Sequence, residues 1–157
     1  MKVLGIDPGY DRLGIALIEK QDGKEVLLFS ECIETNKQDL LPDRLFAVGE
    51  CFSKIITEYK PDAIGIETLF FNKNIKTAIG VAQARGIILY LAKKADATVY
   101  EFGPQEIKIA TTGYGKSDKN AVIDMVKRLV ANVPNQALDD EYDAIAIALT
   151  TMACLRT

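Results

Sequence analysis

Asp7 closes a short apolar run inside the motif GIDPG, and Glu67 closes another inside AIGIE. Both are carboxylates at the C-terminal end of a strand that reads as buried, which is the edge where open α/β sheets place their sites. Asp140 and Asp143 stand three residues apart in DDEYDAIAIA, so a helix there carries both on one face. Each has a bland reading. Asp7-Pro8-Gly9 could be a turn whose aspartate caps its own backbone, and Glu67 a solvated strand end. Asp139, Asp140 and Glu141 are what any helix N-terminus favours. Asp143 resists that account, because the residues after it, AIAIAL, must face a core. Taken together, the residues favour four carboxylates from three segments converging on one point. Their repulsion is most simply relieved by hard divalent cations with oxygen ligands, Mg²⁺ or Mn²⁺.

Histidine is absent, which excludes a Ser-His-Asp triad, a Cys-His pair, a His-ligated zinc and a histidine proton shuttle. The three cysteines, Cys32, Cys51 and Cys154, form no CxxC and no even framework. They are expected as reduced, semi-buried thiols of an intracellular protein.

The elements that must position the acids follow from periodicity and punctuation. Strands are expected at 2–7, 13–19 and 25–35, the last two joined by an Asp22-Gly23 hairpin signal. Helical spacing runs over 41–59, with Pro42 in the first turn and Pro61 beyond the end. A nearly all-apolar strand at 63–67 precedes a long helix at about 76–95 and a fifth strand at 98–102. Helices are expected at 104–111, 118–130 and 139–155. The order β-β-β-α-β-α-β-α-α-α implies an α/β fold: a mixed five-stranded sheet with antiparallel first three strands and helices on both faces. No repeat or linker divides the chain, so residues 1–157 are expected to form one domain. No basic segment followed by an apolar stretch opens the chain, and no apolar run approaches the ~18 residues of a membrane span. A cytoplasmic protein with no membrane partner is the expectation.

The formal net charge of −3 argues against a nucleic-acid partner, but its distribution does not. Residues 1–67 carry 8 basic and 13 acidic groups, residues 68–128 carry 10 and 5, and residues 129–157 carry 1 and 4. The middle block, net +5, holds Lys73, Lys76, Arg85, Lys108, Lys116 and Lys119 among others. It reads either as solvated helix faces or as a surface for DNA phosphates. Loop 68–74 (TLFFNKN) sets Phe70, Phe71 and Asn72 beside Lys73 directly after Glu67. Exposed aromatics on such a loop can stack on unpaired bases. Loop 112–117 (TGYGKS), with two glycines and Lys116, reads as a mobile DNA-contacting loop.

GIDPG at 5–9, GIE at 65–67, QARG at 83–86 and DEYDAIAIA at 140–148 resemble, in order and spacing, the motifs of the RuvC family of Holliday junction resolvases. The resemblance runs from Val3 to about Thr151 and implies the ribonuclease H-like fold. It implies a metal-binding acidic tetrad at Asp7, Glu67, Asp140 and Asp143, with Asp139 a register competitor for Asp140. It also implies basic catalytic residues at Lys119 and Lys108, and a junction-inserting aromatic at Phe70. The activity implied is paired, two-metal hydrolysis of four-way DNA junctions leaving 5′-phosphates, with two Mg²⁺ per site and Mn²⁺ as a substitute. A homodimer and a branch-migration helicase are the implied partners; the helix over 77–91 is the candidate dimer face, its Gly80 and Gly86 serving either close helix approach or packing on the sheet. Two rival readings stand beside it. One is a shorter RuvC-like nuclease acting on ribosomal RNA. The other is an actin/hexokinase-like ATPase, since Asp7, Gly9 and Gly14 fit DxGxxxxG.

Overall fold

The computed structural model describes residues 1–68 and 75–155, apart from the side chains of residues 75 and 76. The chain opens with β1 (Lys2–Asp7), β2 (Arg12–Gln21) and β3 (Lys24–Glu34) as an antiparallel meander. The β2–β3 turn is the Asp-Gly pair expected, with Asp22 at φ 49° and Gly23 at φ 82°, the backbone twist that a tight hairpin needs. Helix α1 (Leu41–Tyr59) follows, then β4 (Ala63–Glu67), α2 (Ile75–Lys94) and β5 (Thr98–Phe102). Helices α3 (Pro104–Thr112) and α4 (Lys119–Leu129), the short β6 (Val130–Ala131) and α5 (Asp139–Cys154) complete it.

The sheet order is β5-β4-β1-β2-β3-β6. Strands β4 and β5 run parallel to β1, so Asp7 and Glu67 end neighbouring strands at the same edge. Six strands replace the five expected. The extra one is a two-residue pairing of Val130 and Ala131 with Glu25 and Val26, made as the chain leaves α4. A contact that short leaves no period in the sequence.

Two apolar layers sandwich the sheet. Alternate residues of β1, Val3 on one side and Leu4 and Ile6 on the other, feed both. One layer is closed by α3, α4 and α5, the other by α1 and α2. Helix α5 sits lowest. At Gly5, Gly14 and Gly65, on β1, β2 and β4, the space that a Cβ would need is filled by α5. Its Ala144 carbonyl, Asp140 carbonyl and Thr151 hydroxyl occupy those three positions. Glycine is required there by close approach, since none of the three has a positive φ.

Cys32 and Cys51 are partly buried, as expected, but Cys154 is exposed. Burial and the nearby Asp140 and Glu34 carboxylates push the Cys32 thiol up to about 11, which leaves it unreactive at neutral pH.

Candidate active site

The sheet edge carrying Asp7 and Glu67 is capped by the first turn of α5. The register Asp7↔Gly14 at the β1–β2 end, with the Asp140 backbone resting on Gly14, brings the two acidic segments together. Asp140 presents a side chain 25% exposed toward Asp7, whereas Asp139 is 67% exposed and turned to Lys119. Glu141 serves the helix end instead, accepting from the Leu138 amide at 3.3 Å and from the Ser30 hydroxyl at 2.7 Å.

Electrostatics tie the four acids into one cluster. Burial, followed by the charges of Asp143, Glu67 and Asp140, pushes the Asp7 carboxyl up to about 8. Burial and Asp143 raise Glu67 against the opposing pull of Lys119 and Lys108. Asp143 is also raised, by burial first, despite its bond from Lys119. Lys119 Nζ donates to Asp143 Oδ2 at 3.0 Å and lies 3.2 Å from Asp139 Oδ2. Burial alone would lower that ammonium, but the two carboxylates reverse the effect and its proton is held more tightly. A cleft of about 250 Å³ beside the cluster is lined by Glu67, Lys108, Lys119 and Asp143, with Ile107 and Val122 as its floor.

Among the described residues no three carboxylates close around a single point as they stand. The donor set nevertheless fits a hard divalent cation. It consists of oxygen ligands only, around an aspartate whose proton affinity is raised by burial first and then by three neighbouring carboxylates, whose repulsion a cation would relieve.

The other expected residues divide. Phe70, Phe71, Asn72 and Lys73 lie outside the described residues, as does the side chain of Lys76. Lys116 is exposed and does not line the cleft. The loop that carries it forms a hydrogen-bonded turn. Ser117 Oγ lies 2.6 Å from Thr112 Oγ1 and donates to the Tyr114 carbonyl at 2.7 Å, while the Tyr114 amide donates to Thr112 Oγ1 at 3.1 Å. Arg85, with a side chain 18% exposed, is paired with Glu101 on β5 and ties α2 to the sheet. Gly80 receives the Tyr10 ring, so it packs inside the monomer, while Gly86 faces open space.

Sequence reading missed two groups. Arg44, buried on α1, donates from Nε to Thr35 Oγ1 at 2.9 Å, pairs with Asp11 and lies over the Tyr10 ring at 4.9 Å. It thereby fixes the turn that follows Asp7. Arg12 reaches both Asp140 and Glu34. Neither carried a local signal. The Gly9 and Gly14 positions that suggested a phosphate loop are taken up by packing, Gly9 against the Arg12 carbonyl and Gly14 against α5.

The family model and the curated relatives agree on one family. The profile described as "Crossover junction endodeoxyribonuclease RuvC" matches residues 3–151. A protein of that description from Thermosipho melanesiensis is 45% identical over 148 residues, covering 94% of each chain. One from Finegoldia magna is 42% identical over 149 residues, 95% of this chain and 91% of its own. Among solved structures, the Thermus thermophilus RuvC in complex with Holliday junction substrate superposes with a TM-score of 0.92 at 31% identity. It covers 99% of this chain and 95% of its own.

Proposed function

This chain belongs to the RuvC family of crossover junction endodeoxyribonucleases, and on that premise we propose that it resolves four-way DNA junctions by paired phosphodiester hydrolysis, leaving 5′-phosphate ends. Residues 1–157 act as one nuclease domain in the cytoplasm. The observation that carries the reading is the coupled acidic cluster. Asp7 is held near 8 by burial and three neighbouring carboxylates, beside a cleft that also presents two lysines.

Asp7, Glu67, Asp140 and Asp143 would hold two divalent cations, Mg²⁺ or in its place Mn²⁺. Bound there, the ions supply Lewis-acid stabilisation of charge on the phosphate and lower the pKa of an attacking water. The chain's own part is electrostatic and positional. Lys119 and Lys108 line the cleft and offset the charge that builds on the phosphate. Lys119 first has to yield the carboxylates it holds, Asp143 and Asp139. Lys116, Lys73 and Lys76 are assigned to backbone phosphates of the junction arms, and Phe70, with Phe71 or Asn72, to its unpaired centre. Arg85 reaches DNA only if its pair with Glu101 opens.

Incubation with Mg²⁺ and a synthetic four-way junction, beside linear duplex and RNA, tests the reading. Symmetric nicks confined to the junction are expected. Cleavage confined to RNA would overturn it in favour of an RNA-processing nuclease.

A junction with two-fold symmetry needs two sites, so a second copy of this chain is the expected partner. The branch-migration helicase of the same pathway is expected to meet that dimer on DNA. The groove of about 670 Å³ between α1 and α2 is the face best suited to the second copy, since Phe46 is 68% and Tyr90 67% exposed there, with Gly86 between the helices. The double variant Phe46→Glu, Tyr90→Glu should be a monomer by light scattering and should nick junctions singly rather than in pairs. A dimer that survives both changes would place the interface elsewhere.

A further inference from the structure

We propose that Arg12 grips a DNA backbone phosphate on the Asp140 side of the acidic cluster, as a substrate-positioning contact separate from the cleft lysines Lys108 and Lys119. The inference rests on the acidic cluster being a DNA-cleaving site and adds a residue to it. Arg12 opens β2, directly across from Glu34. Its Nε lies 3.5 Å from Glu34 Oε1 and its Nη1 lies 3.7 Å from Asp140 Oδ2. Both separations exceed the length of a good charged hydrogen bond. The side chain is 52% exposed, so the guanidinium fork presents donors that these two loose pairs do not use.

The root of the side chain is fixed, unlike its head. The Thr35 amide donates to the Asp11 carbonyl at 3.1 Å, and the Thr35 hydroxyl donates to the Tyr10 carbonyl at 2.5 Å. Arg44 binds both Asp11 and Thr35 from below. An arginine on an anchored turn, with a loosely held planar head, suits two-point recognition of a phosphate. Position decides between a phosphate contact and a mere counter-ion. Lys108 and Lys119 line the cleft with Glu67 and Asp143, so Arg12 is the cation on the Asp140 flank among the described residues. A cation held by Asp140 would compete with Arg12 for that carboxylate and leave the guanidinium free for the strand crossing the site. Arg12 lies in the N-terminal segment of net charge −5, so charge distribution alone gave it no such role.

The test is junction binding with Ca²⁺ replacing Mg²⁺, because its looser coordination fills an oxygen site without the strict geometry of Mg²⁺. Anisotropy over a salt series is read for wild type, Arg12→Gln and Arg12→Lys. Arg12→Gln should bind roughly fivefold more weakly at ~100 mM salt, with the slope of log affinity against log salt reduced by about 0.9, the loss of one phosphate contact. Arg12→Lys keeps the charge and loses the fork, so its slope should match wild type while its affinity falls between the two. An Arg12→Gln protein with wild-type affinity and slope would overturn the proposal and leave Arg12 as a counter-ion to Asp140 and Glu34. Should Arg12→Gln fail to fold by circular dichroism, the lysine variant decides: undiminished affinity overturns the proposal, reduced affinity at equal slope supports it. Wild-type protein that neither binds nor cuts the junction would instead remove the reading beneath it.

Discussion

Asp7→Asn is expected to abolish junction cleavage while making the metal-free protein more resistant to heat at pH 8. The first half follows from the position of Asp7 at the centre of the acidic cluster, and the loss should be about 10³-fold or more. The second half follows from proton linkage. The Asp7 carboxyl is raised from 3.8 to about 8 by burial and by Asp143, Glu67 and Asp140, so the fold favours its protonated form. A raised carboxylate costs no stability below its unfolded value, and the cost grows as pH climbs from about 4 to about 8. At 1.36 kcal/mol per pH unit the ceiling is about 6 kcal/mol, and a third of that still moves Tm by several degrees in a chain of this size. Asparagine mimics the protonated acid and carries no such cost. Melts in EDTA at pH 5 and pH 8 should show the advantage of the variant widening at the higher pH. Added Mg²⁺ should raise the Tm of the wild type and leave the variant where it was. Retained cleavage in a folded variant would sink the assignment of Asp7, and a pH-independent Tm difference would sink the raised carboxyl itself.

Gly14→Ala should lower cleavage about 10²-fold with little loss of junction affinity. A Cβ at this position would overlap the Asp140 carbonyl oxygen and come within 2.7 Å of its carbon. Backbone stands on both sides, so relief requires the first turn of α5 to rise from β2. That turn carries Asp140, and Asp143 lies one turn further on. Both would move relative to Asp7 and Glu67, which stay on their strands. The cost in folding should be of the ordinary overpacking size, about 1–3 kcal/mol. Single-turnover rates at saturating junction, compared with binding in Ca²⁺, separate the two effects. Equal losses in rate and affinity would show that α5 had come loose as a whole rather than shifted at one end.

Much of this arrangement was legible from the sequence, for identifiable reasons. Asp7 and Glu67 announce themselves because an all-apolar strand interior allows few charges, and those must sit at its ends. Asp143 stands out because the helix that follows is apolar on nearly every side, with residues 144 to 152 all buried. The Asp22-Gly23 turn is legible because its backbone demands those residues. What stayed hidden depends on partners distant in the chain. Asp139 and Asp140 are indistinguishable as letters, and they separate only because one faces Lys119 and the other Asp7. Gly80 seemed free for a partner helix, but Tyr10, seventy residues earlier, fills the space above it. Arg85 is one positive charge of a basic block in the sequence, and in the fold it is paired with Glu101. Charge sums and periodicities describe single elements, and these residues take their roles from pairs of elements.

The glycine seat under α5 has a consequence beyond catalysis. A helix propped on side chains inherits every change in their volume, whereas a helix resting on Gly5 and Gly14 touches the sheet backbone to backbone at both. Its height is therefore set by covalent geometry that does not vary from one sequence to another. The two apolar layers can exchange isoleucine for valine or leucine over generations while the spacing between strand acids and helix acids holds. The chemistry is insulated from the slow drift of the core.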